Sequence, residues 1–392
     1  MNFYSIEFKK NRSKLIFLFL CALFIRLIFF AVYPELNFPD AKAYQTIGSE
    51  ILSGKEITNN IYMPLYPIWV GLSKIFNMYI LSDIFISSLS VVVIYKLSEE
   101  LFANQLASNI SAFTAILYPH FVFYSISGLS ETLFIFLFLI SILFLYKKKI
   151  IFGIIFLIMS VLVKPTFDFF NPIMIFIFLR FVHSFDWRKI AYYLFVYFLI
   201  YIFFMAPWWT HQYNKYGEFV RLNLGDGVVL YAGNNPLNKT GGGINGVDVD
   251  ESIFGAIKDP VNRNRAMKDE AFKFIINNPA NFIELSFKKF VRFWRLWPYA
   301  SEYQSWYVVT SSLLSYGIVL LMALFFIFFY FRKSYIKLSP ILATIFYLTI
   351  VHMVTIGSIR YRLPLEPFLI ILSSYVLGDY LKYKRIPNFL SR

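Results

Sequence analysis

The sequence predicts an all-α, multi-pass membrane protein. It should form a bundle of about ten transmembrane helices with two long outer loops that carry interfacial helices. Three observations lead there. Hydrophobic residues make up 58% of the 392 residues and charged residues only 15%, whereas soluble domains average about 25% charged residues. Too few charges remain to cover several soluble surfaces. Mean hydropathy is +0.60. The apolar residues also come in runs suited to a hydrocarbon core of about 30 Å, which takes about 20 residues per helix. Disordered, collagen-like and disulfide-scaffold classes are excluded by the same composition. The single cysteine, Cys21, permits no intrachain disulfide. The histidines (His120, His183, His211, His352) are scattered, and no pair has the i, i+4 spacing that would place two metal ligands on one helix face.

Ten spans are expected, over 14–33, 79–97, 105–123, 129–146, 150–164, 167–182, 190–208, 305–331, 338–356 and 363–381. The fifth and sixth are short, with Lys164-Pro165 as the turn between them. Basic residues orient the bundle. The short segments expected inside hold Lys9, Lys10, Arg12, Lys14, Lys96, Lys147, Lys148, Lys149, Arg180, Arg188, Lys189, Arg332, Lys333, Lys337, Lys382, Lys384, Arg385 and Arg392, 18 of the 37 Lys and Arg. The short outer segments hold six: Lys42, Lys55, Lys74, Lys164, Arg360 and Arg362. Long loops count little in the positive-inside rule, so this asymmetry predicts both termini in the cytoplasm. Much of the net charge of +14 is then topological, and no nucleic-acid partner is expected.

The whole chain reads as one transmembrane domain, 1–392, with its polar residues concentrated in two outer segments, 34–78 and 209–304. Loops longer than about 12–15 residues usually carry function. In the first, Ala43, Tyr44, Ile47 and Ile51 have the spacing of an amphipathic helix, and Asp40 at its start reads from spacing alone as an N-cap. The following YMPLYPIWVGLSKIF predicts a second short helix in the interface. The second segment opens with PWW and continues into the Gly- and Asn-rich NLGDGVVLYAGNNPLNKTGGG, a loop. Over 281–297, Asn281, Glu284, Lys288, Arg292 and Arg295 form one stripe, with Ile283, Phe290, Phe293, Trp294 and Trp297 opposite. This is the pattern of a basic interfacial helix. Asp248-Val249-Asp250 spells DxD, but three residues make a weak pattern, and a solvated loop is expected there. No phosphate-cradling glycine motif occurs.

A set of ionisable residues shares one depth. Asp40 and Glu131 open helices at the outer face, and Lys164, Arg360 and Arg362 sit at the same level. Their convergence into one site is more economical than coincidence. Arg26 lies about seven residues inside span 1, roughly 10 Å deep at 1.5 Å per residue, where a charge is costly and a functional partner is the default expectation.

These segments, in order, resemble a known family. Asp40 with Tyr44, PLYP at 64–67, YS and LSETLF within 124–134, VKPT at 163–166, PWW at 207–209, YAGNNP at 231–236 and RYRLPLEP at 360–367 are similar to the GT-C glycosyltransferases of family 39. That group holds the protein O-mannosyltransferases and the lipid A aminoarabinose transferases. The ordered set carries the resemblance across nearly the whole chain. It implies a GT-C-like bundle and an inverting transfer of a sugar from a polyprenyl-phosphate donor at the outer face. Asp40 would be the catalytic base, and Glu131, which stands where the aminoarabinose transferases have an aspartate in their pocket, is the second catalytic candidate. Three features depart from the pattern. Ala41 follows Asp40 where many protein mannosyltransferases carry glutamate. Met63 stands where the aminoarabinose transferases place a phosphate-binding lysine. No counterpart of their large C-terminal soluble domain is expected.

The expected function is thus an integral-membrane glycosyltransferase of the cell membrane, with its site on the outer face. A phosphate-linked lipid leaves readily once its charge is neutralised, which Lys164, Arg360 or Arg362 could do. The acceptor hydroxyl must lose a proton, which a carboxylate can take. Arg26 and Tyr44 are expected to support the site. The partners expected are the lipid-linked sugar, membrane lipids and an envelope glycan, lipid or protein as acceptor. No cofactor is firmly implied, and a divalent cation stays open. The alternative is a transporter or flippase of a polyprenyl-linked lipid or sugar. That class uses broken helices with polar residues at mid-bilayer and often paired repeats, but the sequence shows Arg26 alone well inside a span and no repeat. A scaffold for an envelope complex would not need acids and bases at one depth.

Overall fold

In a computed structural model the described residues are 3–34, 38–243, 246–299 and 303–383. The charges expected at Lys384, Arg385 and Arg392 lie outside them, as do the side chains of Lys9, Lys10, Arg332 and Lys333. The chain runs α1 (Phe3–Val32), α2 (Pro39–Leu52), α3 (Leu65–Ile75), α4 (Tyr79–Phe102), α5 (Gln105–Leu117), α6 (Pro119–Tyr124), α7 (Glu131–Tyr146), α8 (Ile150–Val163) and α9 (Phe170–Ile177). It continues as α10 (Trp187–Tyr216), α11 (Asp226–Gly233), α12 (Pro260–Asn277), α13 (Pro279–Trp294), α14 (Trp306–Ser312), α15 (Ile318–Phe329), α16 (Phe331–Val354), α17 (Ile359–Arg362) and α18 (Glu366–Tyr383). Short π-helical turns extend α9 and join α14 to α15.

The fold is an all-helical membrane bundle. Helices occupy all ten of the expected apolar segments. Among the described residues five are long and apolar enough to cross a membrane by length and composition: Arg12–Val32, Tyr79–Phe102, Trp187–Tyr216, Trp306–Phe329 and Tyr335–Val354. Glu131–Tyr146, Ile150–Val163 and Phe170–Val182 are apolar but shorter. Helix α7 is apolar on every side and buried along nearly its whole length, as a helix in the middle of a bundle must be. It packs on α4 and α8, while α18 packs on α5 and α15. The outer helices instead show large apolar side chains outward, such as Phe203 on α10 and Phe346 on α16, 74% and 70% exposed. An apolar belt of this extent belongs against lipid.

Two expected spans differ in detail. The segment 105–123 breaks at Tyr118 (φ −67°, ψ 114°), because a residue before proline is driven from the helical region. Helix α10 runs through Pro207-Trp208-Trp209 to Tyr216 and stops at Gly217 (φ +70°), the left-handed position glycine fills after a helix end. The outer polypeptide therefore leaves the bundle eight residues later than the apolar run suggests. Helices α2 and α3 both form as expected and cross closely. A Cβ on Gly48 would lie 2.4 Å from the Pro67 carbonyl oxygen, and one on Gly71 would lie 2.8 Å from that of Gly48. Any side chain there would push the two helices apart.

Candidate active site

The site is built where the ends of four helical segments meet. Pro39 occupies the first helical position of α2, where its missing N–H costs nothing, so Asp40 falls in the first turn. The N-cap is Phe38, and no side chain caps the helix. The carboxylate of Asp40, read from spacing as a cap, faces across the molecule instead. It accepts from Tyr62 Oη at 2.9 Å and from Arg360 at 2.8 Å. Glu131 opens α7, where the helix dipole favours a negative charge. Lys164 ends α8 in extended conformation (φ −143°, ψ 126°), forced by Pro165. The bend carries its side chain to Glu131, 2.5 Å away. Ser358 caps α17 by accepting from the Arg360 N–H, and the Arg360 guanidinium bridges Asp40 and both oxygens of Glu131.

Four residues from four elements thus form one chain of ion pairs: Asp40, Arg360, Glu131, Lys164. Two cations face two anions, so the cluster is neutral as it stands. Exposure separates the roles. Glu131 is 1% exposed, Lys164 19%, Arg360 25% and Asp40 32%. A bound molecule can reach Asp40 and the two cations, while Glu131 lies beneath them as the fixed counter-charge. Lys164 uses one of its three N–H groups on Glu131 and has others for a further anion. Behind Asp40, Tyr44 bonds with Ser130 Oγ at 3.1 Å and packs its ring on Tyr62 and Tyr66. A buried aspartate, Asp83 on α4, holds Tyr66 and Trp69 of α3 at 2.6 and 3.2 Å, which ties the first outer segment to the bundle.

Two expected site residues fall elsewhere. Arg362 is fully buried. It pairs with Glu366 at 2.9 Å, donates to the carbonyls of Phe293 and Arg295, and lies 3.4 Å from the Tyr316 ring centroid. Glu366 also bonds to His120 at 2.9 Å. This network shares no partner with the Asp40 cluster. Arg26 is also fully buried and does not snorkel, and among the described residues it meets no acid; it donates to Ser87 Oγ and to the carbonyls of Ala22 and Ala115. The Ala115 carbonyl would normally accept from residue 119, which is proline and has no N–H. Arg26 therefore supplies the donor that the break between α5 and α6 removes.

The second outer segment also corrects expectation. Asp248 of the DxD pattern is buried, not solvated. It accepts from Thr240 Oγ1 at 2.7 Å and, through its carbonyl, from Asn235 at 3.0 Å. Asp250 accepts from Ser252. The loop folds on itself, and its acids satisfy local donors. Along α13 the apolar stripe of Ile283, Phe287 and Val291 is exposed, whereas Phe293 stacks on His352. Lys289, on neither expected stripe, is fully buried. Sequence reasoning also missed Tyr62 and Asp83, which lie in apolar-looking stretches with no pattern to mark them. Among the described residues no group of three or more His, Cys, Asp or Glu could hold a metal ion.

Comparison with known proteins gives the fold its relatives. No family model matches the sequence, and no curated protein matches it either. Among solved structures, the oligosaccharyltransferase of Archaeoglobus fulgidus in its apo form superposes with a TM-score of 0.57 at 13% identity, over 95% of this chain and 51% of that one. The chain has the fold of that oligosaccharyltransferase. This is the GT-C fold of membrane glycosyltransferases. The archaeal oligosaccharyltransferase AglB from the same organism, in complex with an inhibitory peptide and a dolichol-phosphate, superposes with a TM-score of 0.52 at 12% identity, again over 95% of this chain and 51% of that one. The chain therefore spans about half the length of these GT-C relatives.

Proposed function

We propose that the protein is a membrane glycosyltransferase that moves a sugar from a polyprenyl-phosphate donor to an envelope acceptor, a lipid, glycan or protein, at the outer face of the membrane. The observation that carries this reading is the Asp40–Arg360–Glu131–Lys164 chain. It places an accessible carboxylate beside two accessible cations on a GT-C fold. The motif resemblance to family 39 supports Asp40 as the base. The AglB structure that holds a dolichol-phosphate adds support for a lipid-phosphate ligand on this fold.

The chemistry follows from the geometry. The donor phosphate binds the free N–H groups of Lys164 and the Arg360 guanidinium, which neutralise the charge that grows as the sugar–phosphate bond breaks. Asp40 takes the proton of the acceptor hydroxyl as its oxygen attacks the anomeric carbon from the opposite side, and the lipid phosphate leaves. Tyr62 and Arg360 hold the Asp40 carboxylate in place. Glu131 keeps both cations at the site in the absence of donor.

Mass spectrometry of lipid copurified with the wild-type protein and with Lys164→Ala tests the reading. The wild type should carry a polyprenyl-phosphate sugar, and the variant should carry much less of it at equal yield. Bare phospholipid in both preparations, together with no transfer from added donor, would overturn it.

A further inference from the structure

Lys289 stands out among the buried groups. It is fully enclosed on α13, and among the described residues no carboxylate forms an ion pair with it. A buried ammonium without an acid is costly unless something else compensates. Its N–H groups go to Asn234 Oδ1 at 2.9 Å and to the carbonyl of Val354 at 3.1 Å. Asn234 donates to the same Val354 carbonyl at 2.9 Å. Val354 is the last residue of α16, and a cation at a helix C-terminus meets the negative end of the dipole. The helix end takes the place of the missing acid.

The segment beyond Val354 leads directly to Arg360. It is gripped on several sides. Gly357 N–H donates to the Gly241 carbonyl, and Arg292 donates to the Gly357 carbonyl, each at 3.2 Å. A Cβ on Gly357 would lie 2.4 Å from the Lys289 carbonyl oxygen, and one on Gly233 would lie 1.9 Å from that of Thr355. Backbone meets backbone there with no room for a side chain, so a shift of the outer loop or of α13 moves this link.

We propose that Lys289 is a positioning residue: with Asn234 it fixes the Val354 carbonyl, and through the link 355–358 it sets Arg360, whose guanidinium holds Asp40. The proposal rests on the reading of Asp40 and Arg360 as reaction machinery. It assigns the second outer segment a task that its motifs did not reveal, which is to hold the distant arginine in register with the base.

The test uses the full-length protein in detergent or nanodiscs, with sugar transfer from polyprenyl-phosphate donor, hydrogen exchange over 355–362 and thermal stability measured together. Lys289→Met keeps the length and removes the donors. Its turnover at saturating donor should fall by about 10- to 100-fold, the scale of a misplaced catalytic group, with faster exchange confined to 355–362. Lys289→Arg, which keeps a cation at the helix end, should recover most of the loss. Asn234→Ala removes the other donor to the same carbonyl and is read in the same way if Lys289→Met does not fold. Because both act through one carbonyl, the losses in the double variant should not multiply. Wild-type turnover in the folded single variants, or losses that multiply, would overturn the proposal. If Asp40→Asn is inactive while these variants are active, the positioning role alone fails. If Asp40→Asn is itself fully active, the reading of the site fails with it.

Discussion

Arg360 and Arg362 stand two residues apart on α17, and both pair with a buried glutamate, Glu131 and Glu366. One is a quarter exposed, pairs with a second acid, and shares its glutamate with a lysine. The other is sealed, stacked on Tyr316 and bonded to two carbonyls at the end of α13. Residues two apart on a helix lie about 200° apart around its axis, so the two arginines go to opposite sides. Charge and depth do not distinguish them; access does. A cation that a ligand can reach beside an exposed carboxylate can do chemistry, whereas a cation with every N–H directed inward holds helices together.

The largest effect is expected at Asp40. Asparagine keeps the shape and can still accept from Tyr62 and Arg360, but it cannot take a proton. General-base catalysis is typically worth about 10²–10⁴-fold. Sugar transfer by purified Asp40→Asn should drop by about that factor with thermal stability near wild type. Turnover close to wild type would move the base elsewhere.

The two arginines themselves come next. Arg362→Ala leaves Glu366 buried beside His120 without its arginine, and breaking such a pair typically costs about 3–5 kcal/mol. Its melting temperature and yield should fall sharply. Arg360→Ala should instead lose donor affinity and turnover with the smaller loss of stability. Thermal unfolding set against donor-lipid binding separates them, and the reverse ranking would exchange their roles.

A smaller effect is expected from Arg26. Removing one donor from a buried carbonyl costs about 1–3 kcal/mol, so Arg26→Met should lower stability while transfer per folded molecule stays unchanged. A paired measurement of melting and turnover checks this, and a selective loss of turnover would return Arg26 to the site. The least perturbing experiment concerns orientation. In a Cys21→Ser background, cysteine at Lys258, exposed in the second outer segment, should react with an impermeant thiol reagent from outside, and cysteine at Lys147 should not. The opposite labelling would place the cluster on the cytoplasmic face.

Much of the site was legible because a membrane leaves ionisable residues few places to go. Asp40, Glu131, Lys164 and Arg360 all stand at the ends of apolar runs, and a shared depth suffices to predict that they meet. Depth gives no azimuth, however. Arg362 has the same depth as Arg360 and points the other way. Arg26 carried the signal of a costly buried charge, yet its partners are a serine hydroxyl and two backbone carbonyls, one of them left open by Pro119, which no charge pattern records. Lys289 gave no signal at all, since its compensation comes from the end of α16, far along the chain.

Local sequence was enough to read the class of molecule, the position of its helices, and two acids and three bases at one level, because burial of apolar runs and the cost of charge in lipid are local properties. Only the tertiary structure decided which of those charges remain reachable, that Asp40 faces Arg360 instead of capping its own helix, and that α13 and the second outer loop grip the link before Arg360. Those outcomes depend on which backbone groups lack partners once helices from distant parts of the chain are packed together, and that is settled only when the packing is complete.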